Sequence, residues 1–100
     1  MVKHIYLMKE VNNMSIYEAV ELMRRGLNNC AYELGSTSYQ DRCEGISVSS
    51  RGDTLIVVVR MHVADPYYKQ EVINNVDSTI DSIRYQYHIP YGVEYEIRWC

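Results

Sequence analysis

Apolar side chains along this chain recur at every second position, then at helical spacing, then in alternation twice over, then helically, and in alternation again. From Lys3 to Val11, Ile5 and Leu7 alternate with His4, Tyr6 and Met8, which predicts a strand that Asn12 and Asn13 break. Ser15 and Glu18 then stand three apart ahead of an apolar stripe, a capping-box pair that satisfies orphan amides at a helix start and contributes about 1 kcal/mol. Ile16, Ala19, Val20, Met23, Leu27, Cys30, Ala31 and Leu34 form the stripe, and Gly35 is the expected left-handed terminator.

The polar run Ser36–Arg42 reads as a loop. Ile46 and Val48 alternate with serines in a short strand, and Arg51-Gly52-Asp53 predicts a hairpin turn before Thr54–Val63. In that second strand Leu55, Val57, Val59, Met61 and Val63 face one way, and Thr54, Ile56, Val58, Arg60 and His62 the other; apolar residues on both faces mark a central strand. Asp65-Pro66 opens a second helix with stripe Val72, Ile73, Val76, Ile80, Ile83 and Tyr87, and Pro90 ends it. Val93, Tyr95, Ile97 and Trp99 alternate with Glu94, Glu96 and Arg98 in a last, half-buried strand.

The resulting order, βαββαβ over the whole chain, resembles the ferredoxin-like folds. That resemblance implies a single α+β domain, residues 1–100, with a four-stranded antiparallel sheet and both helices on one face. Strands one and three would be central. The core face would hold Ile5, Leu7, Leu55, Val57, Val59, Ile97 and Trp99. The open face would hold His4, Tyr6, Met8, Ile56, Val58, Arg60 and His62 together with Glu94, Glu96 and Arg98. Antiparallel pairing would bring His4 near His62 and Arg98, and Tyr6 near Arg60 and Glu96.

Tyr6, Met8, Ile56 and Val58 make that face too apolar for plain exposure to water, so the sequence predicts an interface there, most simply a homodimer formed by face-to-face sheets or by strand exchange. A small domain has a modest core, and pairing adds to its stability. A pocket between two such sheets, lined by His4, Tyr6, Arg60 and His62, is the alternative, serving small-molecule binding or cofactor-free catalysis as in dimeric α+β barrels.

Composition narrows the choice. The formal net charge of −3 argues against nucleic acid as a partner, since phosphate contacts need a basic surplus. Strand three also lacks the aromatic residues with which RNA-recognition modules stack bases. The longest aliphatic run, Leu55–Val59, is too short to span a bilayer, and the expected location is the cytoplasm. Ten tyrosines and no phenylalanine mean that every phenyl ring carries a hydroxyl. Cys30, Cys43 and Cys100 fit no zinc spacing; Cys30 falls on the helix stripe and Cys43 in a polar loop, where it is the more exposed. Phosphate-loop glycine spacing is absent. His4, His62 and Glu96 suggest a two-histidine, one-carboxylate metal set, but nothing in their spacing demands it, so the expectation is no metal, no cofactor and no assignable catalytic residue. The leading expectation is a non-enzymatic, self-associating protein.

Two segments carry a further resemblance. Met1-Val2-Lys3-His4-Ile5-Tyr6-Leu7 and the tyrosine-rich Ile83-Arg84-Tyr85-Gln86-Tyr87-His88, with Ile/Val-heavy strands, are similar in style to small uncharacterised proteins of crenarchaeal filamentous viruses such as those infecting Acidianus. The resemblance implies an intracellular viral protein, compact and homodimeric, in the host cytoplasm. The Asn-Asn pairs at 12–13, 28–29 and 74–75 depart from what a hot environment favours.

Overall fold

The computed structural model describes residues 14–100; the predicted strand Lys3–Val11, with Ile5 and Leu7 and with His4, Tyr6 and Met8, lies outside the described residues. Helix α1 (Ile16–Asn29) starts at the expected cap, where the Ser15 hydroxyl accepts from the Glu18 amide at 3.0 Å. It ends earlier than its apolar stripe. The chain tightens into a 3-10 turn, Ala31–Leu34, which carries Leu34 fully into the core. Gly35 is extended (φ −69°, ψ 166°), not left-handed. Its role is close approach: a Cβ there would stand 3.0 Å from the Asp41 carbonyl oxygen.

Strand β1 (Arg42–Arg51) begins four residues before the predicted Ile46, with a bulge between Cys43 and Gly45. It turns into β2 (Thr54–His62) through Gly52 and Asp53, between the paired Arg51 and Thr54. Gly52, at φ 60°, supplies the positive angle at the first central position of this two-residue hairpin loop. Asp65 caps the next segment by accepting from the Tyr67 amide at 2.9 Å, and Pro66 opens a short 3-10 turn, Pro66–Tyr68, that runs into α2 (Lys69–Tyr87). Strand β3 (Gly92–Trp99) completes the described chain.

The sheet has three strands in the order β1-β2-β3, antiparallel between β1 and β2 and parallel between β2 and β3. This corrects the expected four-stranded antiparallel ferredoxin-like sheet. In that fold the first strand separates the third from the fourth. Here β3 pairs directly with β2 from Thr54↔Gly92 to Met61↔Trp99, so the central position expected for the N-terminal strand is taken. A parallel pair needs a long crossover, and α2 with its flanking turns supplies one. The exchange is favourable for packing, because Val93, Tyr95, Ile97 and Trp99 then continue the layer of Leu55, Val57, Val59 and Met61.

Both helices pack over that layer. Ala19, Met23 and Leu27 of α1 and Val72, Val76, Ile80 and Ile83 of α2 are buried against a β2 face whose Leu55, Val57, Val59 and Met61 are fully inaccessible. Strand β2 occupies the predicted central position, between β1 and β3, and its burial alternates along its length.

Candidate functional site

The face of the sheet away from the helices carries the sequence-predicted residues that the structure describes. Ile56 and Val58, half-buried, form its centre on β2. Ser49 and Ser47 lie opposite them on β1, and Glu94 and Glu96 are level with them on β3. The apolar centre is thus two residues wide and bordered by polar strands, so the face is amphipathic. The predicted partners Tyr6 and Met8 lie outside the described residues.

Charge is distributed asymmetrically across this face. Arg51 reaches over β2 from the hairpin to bind Glu94 at 3.0 Å, and Arg98 binds Glu96 at 3.1 Å. Arg42 pairs with Glu44 at 2.9 Å beside the bulge. Arg60 makes no ion pair among the described residues. Its chain lies across Gly45, where a Cβ would sit 4.0 Å from its Cδ. Arg60 is also level with Arg98 in the parallel register, so two guanidinium-bearing residues stand side by side.

Of the predicted pocket set His4, Tyr6, Arg60 and His62, the structure places Arg60 and His62 on one face at adjacent outward positions, with His62 opposite Arg42. The metal set is not assembled. Glu96 is level with Val58, four residues along β2 from His62, which at about 3.3 Å per residue is roughly 13 Å away. No group of three or more His, Cys, Asp or Glu able to hold a metal ion occurs among the described residues.

The cysteines also fall differently from expectation. Cys43 is half-buried next to the core, and Cys100 is the exposed one. Burial pushes the Cys43 thiol above its ordinary value, with Glu44 and Cys100 adding to the rise and a contact to the Gly45 carbonyl at 3.7 Å opposing it. Cys30 closes α1 and is half-buried, not core. Cys43 lies on β1 and Cys100 just beyond β3, with β2 between them; two strand spacings, about 9.5 Å, exceed what one disulfide spans.

Sequence reading missed a cleft of about 770 Å³ where the loop 35–41 meets the start of β1 and the first turns of α2. Its walls are tied together. Buried Asp41 accepts from the Ser36 hydroxyl and, at 2.9 Å, from the Ala64 amide. Glu71 accepts from the Thr37 amide at 3.1 Å, and Asn75 donates to the Gly35 carbonyl at 2.8 Å. These groups already satisfy one another, so they brace the loop. The only sequence signal was the density of short polar residues from Ser36 to Asp41. The rings of Tyr32 and Tyr39 stand at the rim, 97% and 92% exposed. Tyr17, Tyr67 and Tyr85 are also exposed, all on helices or turns and none on the open sheet face.

No helix among the described residues is long and apolar enough to cross a membrane. Comparison with known proteins matches the chain to no family model, no curated protein and no solved structure.

Proposed function

We propose that the protein is a non-enzymatic interaction module that self-associates through the open face of its sheet. The supporting observation is the self-complementarity of that face. A two-fold axis parallel to the strands lays β1 of one copy over β3 of the other. Because Ser49 and Ser47 are level with Glu94 and Glu96 across the sheet, the rotation sets serine hydroxyls against carboxylates, Ile56 against Ile56 and Val58 against Val58. Donor meets acceptor and apolar meets apolar, and the exposed half of each central side chain leaves water at roughly 25 cal/mol per Å². Light scattering over a dilution series tests this. The wild type is expected to associate independently of reductant and to a larger mass than Ile56→Asp or Val58→Asp, both folded by circular dichroism. The same mass for both variants as for the wild type at every dilution would sink the reading.

A second reading, an anion-binding pocket between the paired sheets, is favoured by one observation: Arg60 has no carboxylate partner among the described residues and stands level with Arg98. The same rotation gathers these arginines from both copies at one end of the interface, next to His62. Phosphate or citrate is then expected to tighten the wild-type dimer and to have no effect on Arg60→Ala.

A further inference from the structure

We propose a second contact between copies, independent of the open face: the outer edge of β3 pairs antiparallel with β3 of another molecule about a two-fold axis at Ile97. Among the described residues nothing pairs with that edge. The Cys100 amide donates to the Met61 carbonyl at 2.8 Å, so the even-numbered residues of this strand turn their backbone groups toward β2. Val93, Tyr95, Ile97 and Trp99 therefore present their N–H and C=O groups outward, and their side chains are only half-buried on the helix side.

The other edge of the sheet is guarded. Strand β1 carries a bulge between Cys43 and Gly45, and the Arg24 guanidinium, reaching from α1, donates to the Val48 carbonyl at 3.0 Å. Strand β3 has no bulge, proline or lysine in its Gly92–Trp99 run, and its charged residues Glu94, Glu96 and Arg98 all lie on the open face, so its protection against strand addition rests on their charges alone.

The charge pattern of β3 selects another copy of itself as occupant. A two-fold axis normal to the sheet keeps the helix side aligned with the helix side, so odd residues face odd and even face even. An axis at Tyr95 sets Glu94 against Glu96 twice, and an axis at Glu96 sets the two Glu96 side chains against each other. An axis at Ile97 sets Glu96 opposite the partner's Arg98 in both directions and Tyr95 opposite the partner's Trp99, with no like-charged pair directly opposed. Opposite charges and aromatic pairs across strands stabilise such a register, and like charges oppose it. The product is a continuous sheet of twice the three strands.

Cross-linking tests the register. With Cys30, Cys43 and Cys100 replaced by serine, Ile97→Cys is expected to form a disulfide-linked dimer on mild oxidation, and Glu96→Cys to stay monomeric on a non-reducing gel. The Ile97→Cys cross-link is expected to persist with Ile56→Asp added, which separates it from the open-face contact. Glu96→Arg is expected to weaken edge pairing in the Ile56→Asp background by about tenfold, and the swap Glu96→Arg with Arg98→Glu to restore it. Cross-linking through Glu96→Cys in place of Ile97→Cys, no cross-link from either, or no rescue by the swap would overturn the proposal.

Discussion

Gly26 in the last turn of α1 lies against Ile83 of α2 so closely that a Cβ at position 26 would stand 3.0 Å from the Cγ1, Cγ2 and Cδ1 atoms of Ile83. Both residues are buried, and this contact fixes how near the two helices approach. A glycine inside a helix lowers its propensity by about 1 kcal/mol against alanine, and here the gain is close packing. Gly26→Val is expected to destabilise the fold by about 1–3 kcal/mol through overpacking, measured by urea denaturation. A variant combining Gly26→Ala with Ile83→Val is expected to lose less than Gly26→Val. Equal stability of Gly26→Val and wild type would mean that the helices separate freely.

His88 closes α2 in the left-handed region, with φ 54° and ψ 43°. The Ile89 amide donates to the Arg84 carbonyl at 3.0 Å, so the turn is hydrogen-bonded despite its side chain. Sequence reasoning assigned the helix end to Pro90. The structure gives His88 the position that glycine usually fills. A residue with a Cβ in that conformation is disfavoured by about 1–2 kcal/mol. His88→Gly is therefore expected to raise the urea midpoint, by about 1 kcal/mol of stability after the glycine's greater unfolded-state entropy is subtracted. No gain would place the strain elsewhere.

Asp41 is the one buried charged residue among the described residues, and its two carboxylate oxygens serve different segments: the Ser36 hydroxyl and the Ala64 amide. It thereby ties the loop before β1 to the segment after β2. Asp41→Ala leaves the Ala64 amide without its acceptor, which costs about 1–3 kcal/mol when a buried partner is removed. The loss is expected to be local as well as global: amide exchange should rise at Ala64 and Ser36–Asp41 more than in β2. A uniform rise across the sheet would argue against a bracing role for the loop.

These features show how unevenly the sequence disclosed the fold. The two helices, the hairpin at Gly52 and the alternation along β2 and β3 were legible because each rests on local periodicity or a local cap. The strand order was not. Whether β3 lies beside β2 or is separated from it is decided by which strand fills a central slot, and alternation is the same in both cases. The open-face positions of Ile56, Val58, Arg60 and His62 follow from parity alone and survive the change in topology. The distance between His62 and Glu96 does not, because it depends on register. The loop cleft and the Gly26–Ile83 contact are tertiary approaches with no periodic signature.

Two weakly acidic groups near the sheet make stability depend on alkaline pH. Burial raises the Cys43 thiol, and burial together with the Asp77 carboxylate raises the Tyr95 phenol, whose hydroxyl donates to Asp77 at 3.2 Å. Each group holds its proton more tightly in the folded chain than in the unfolded one. Between the ordinary and raised values the native state carries more protons, so stability falls as pH rises through that window. Below the ordinary thiol range, about pH 8.5, their contribution is fully present and constant. Urea unfolding from pH 7 to 11 is expected to show a steeper alkaline decline for wild type than for a Tyr95→Phe, Cys43→Ser variant, which has neither proton to hold. Alkylation gives an independent check, since the protonated, half-buried Cys43 thiol should react with iodoacetamide more slowly than exposed Cys100. Parallel alkaline declines in the two proteins, with equal alkylation of both thiols, would place the loss with other groups.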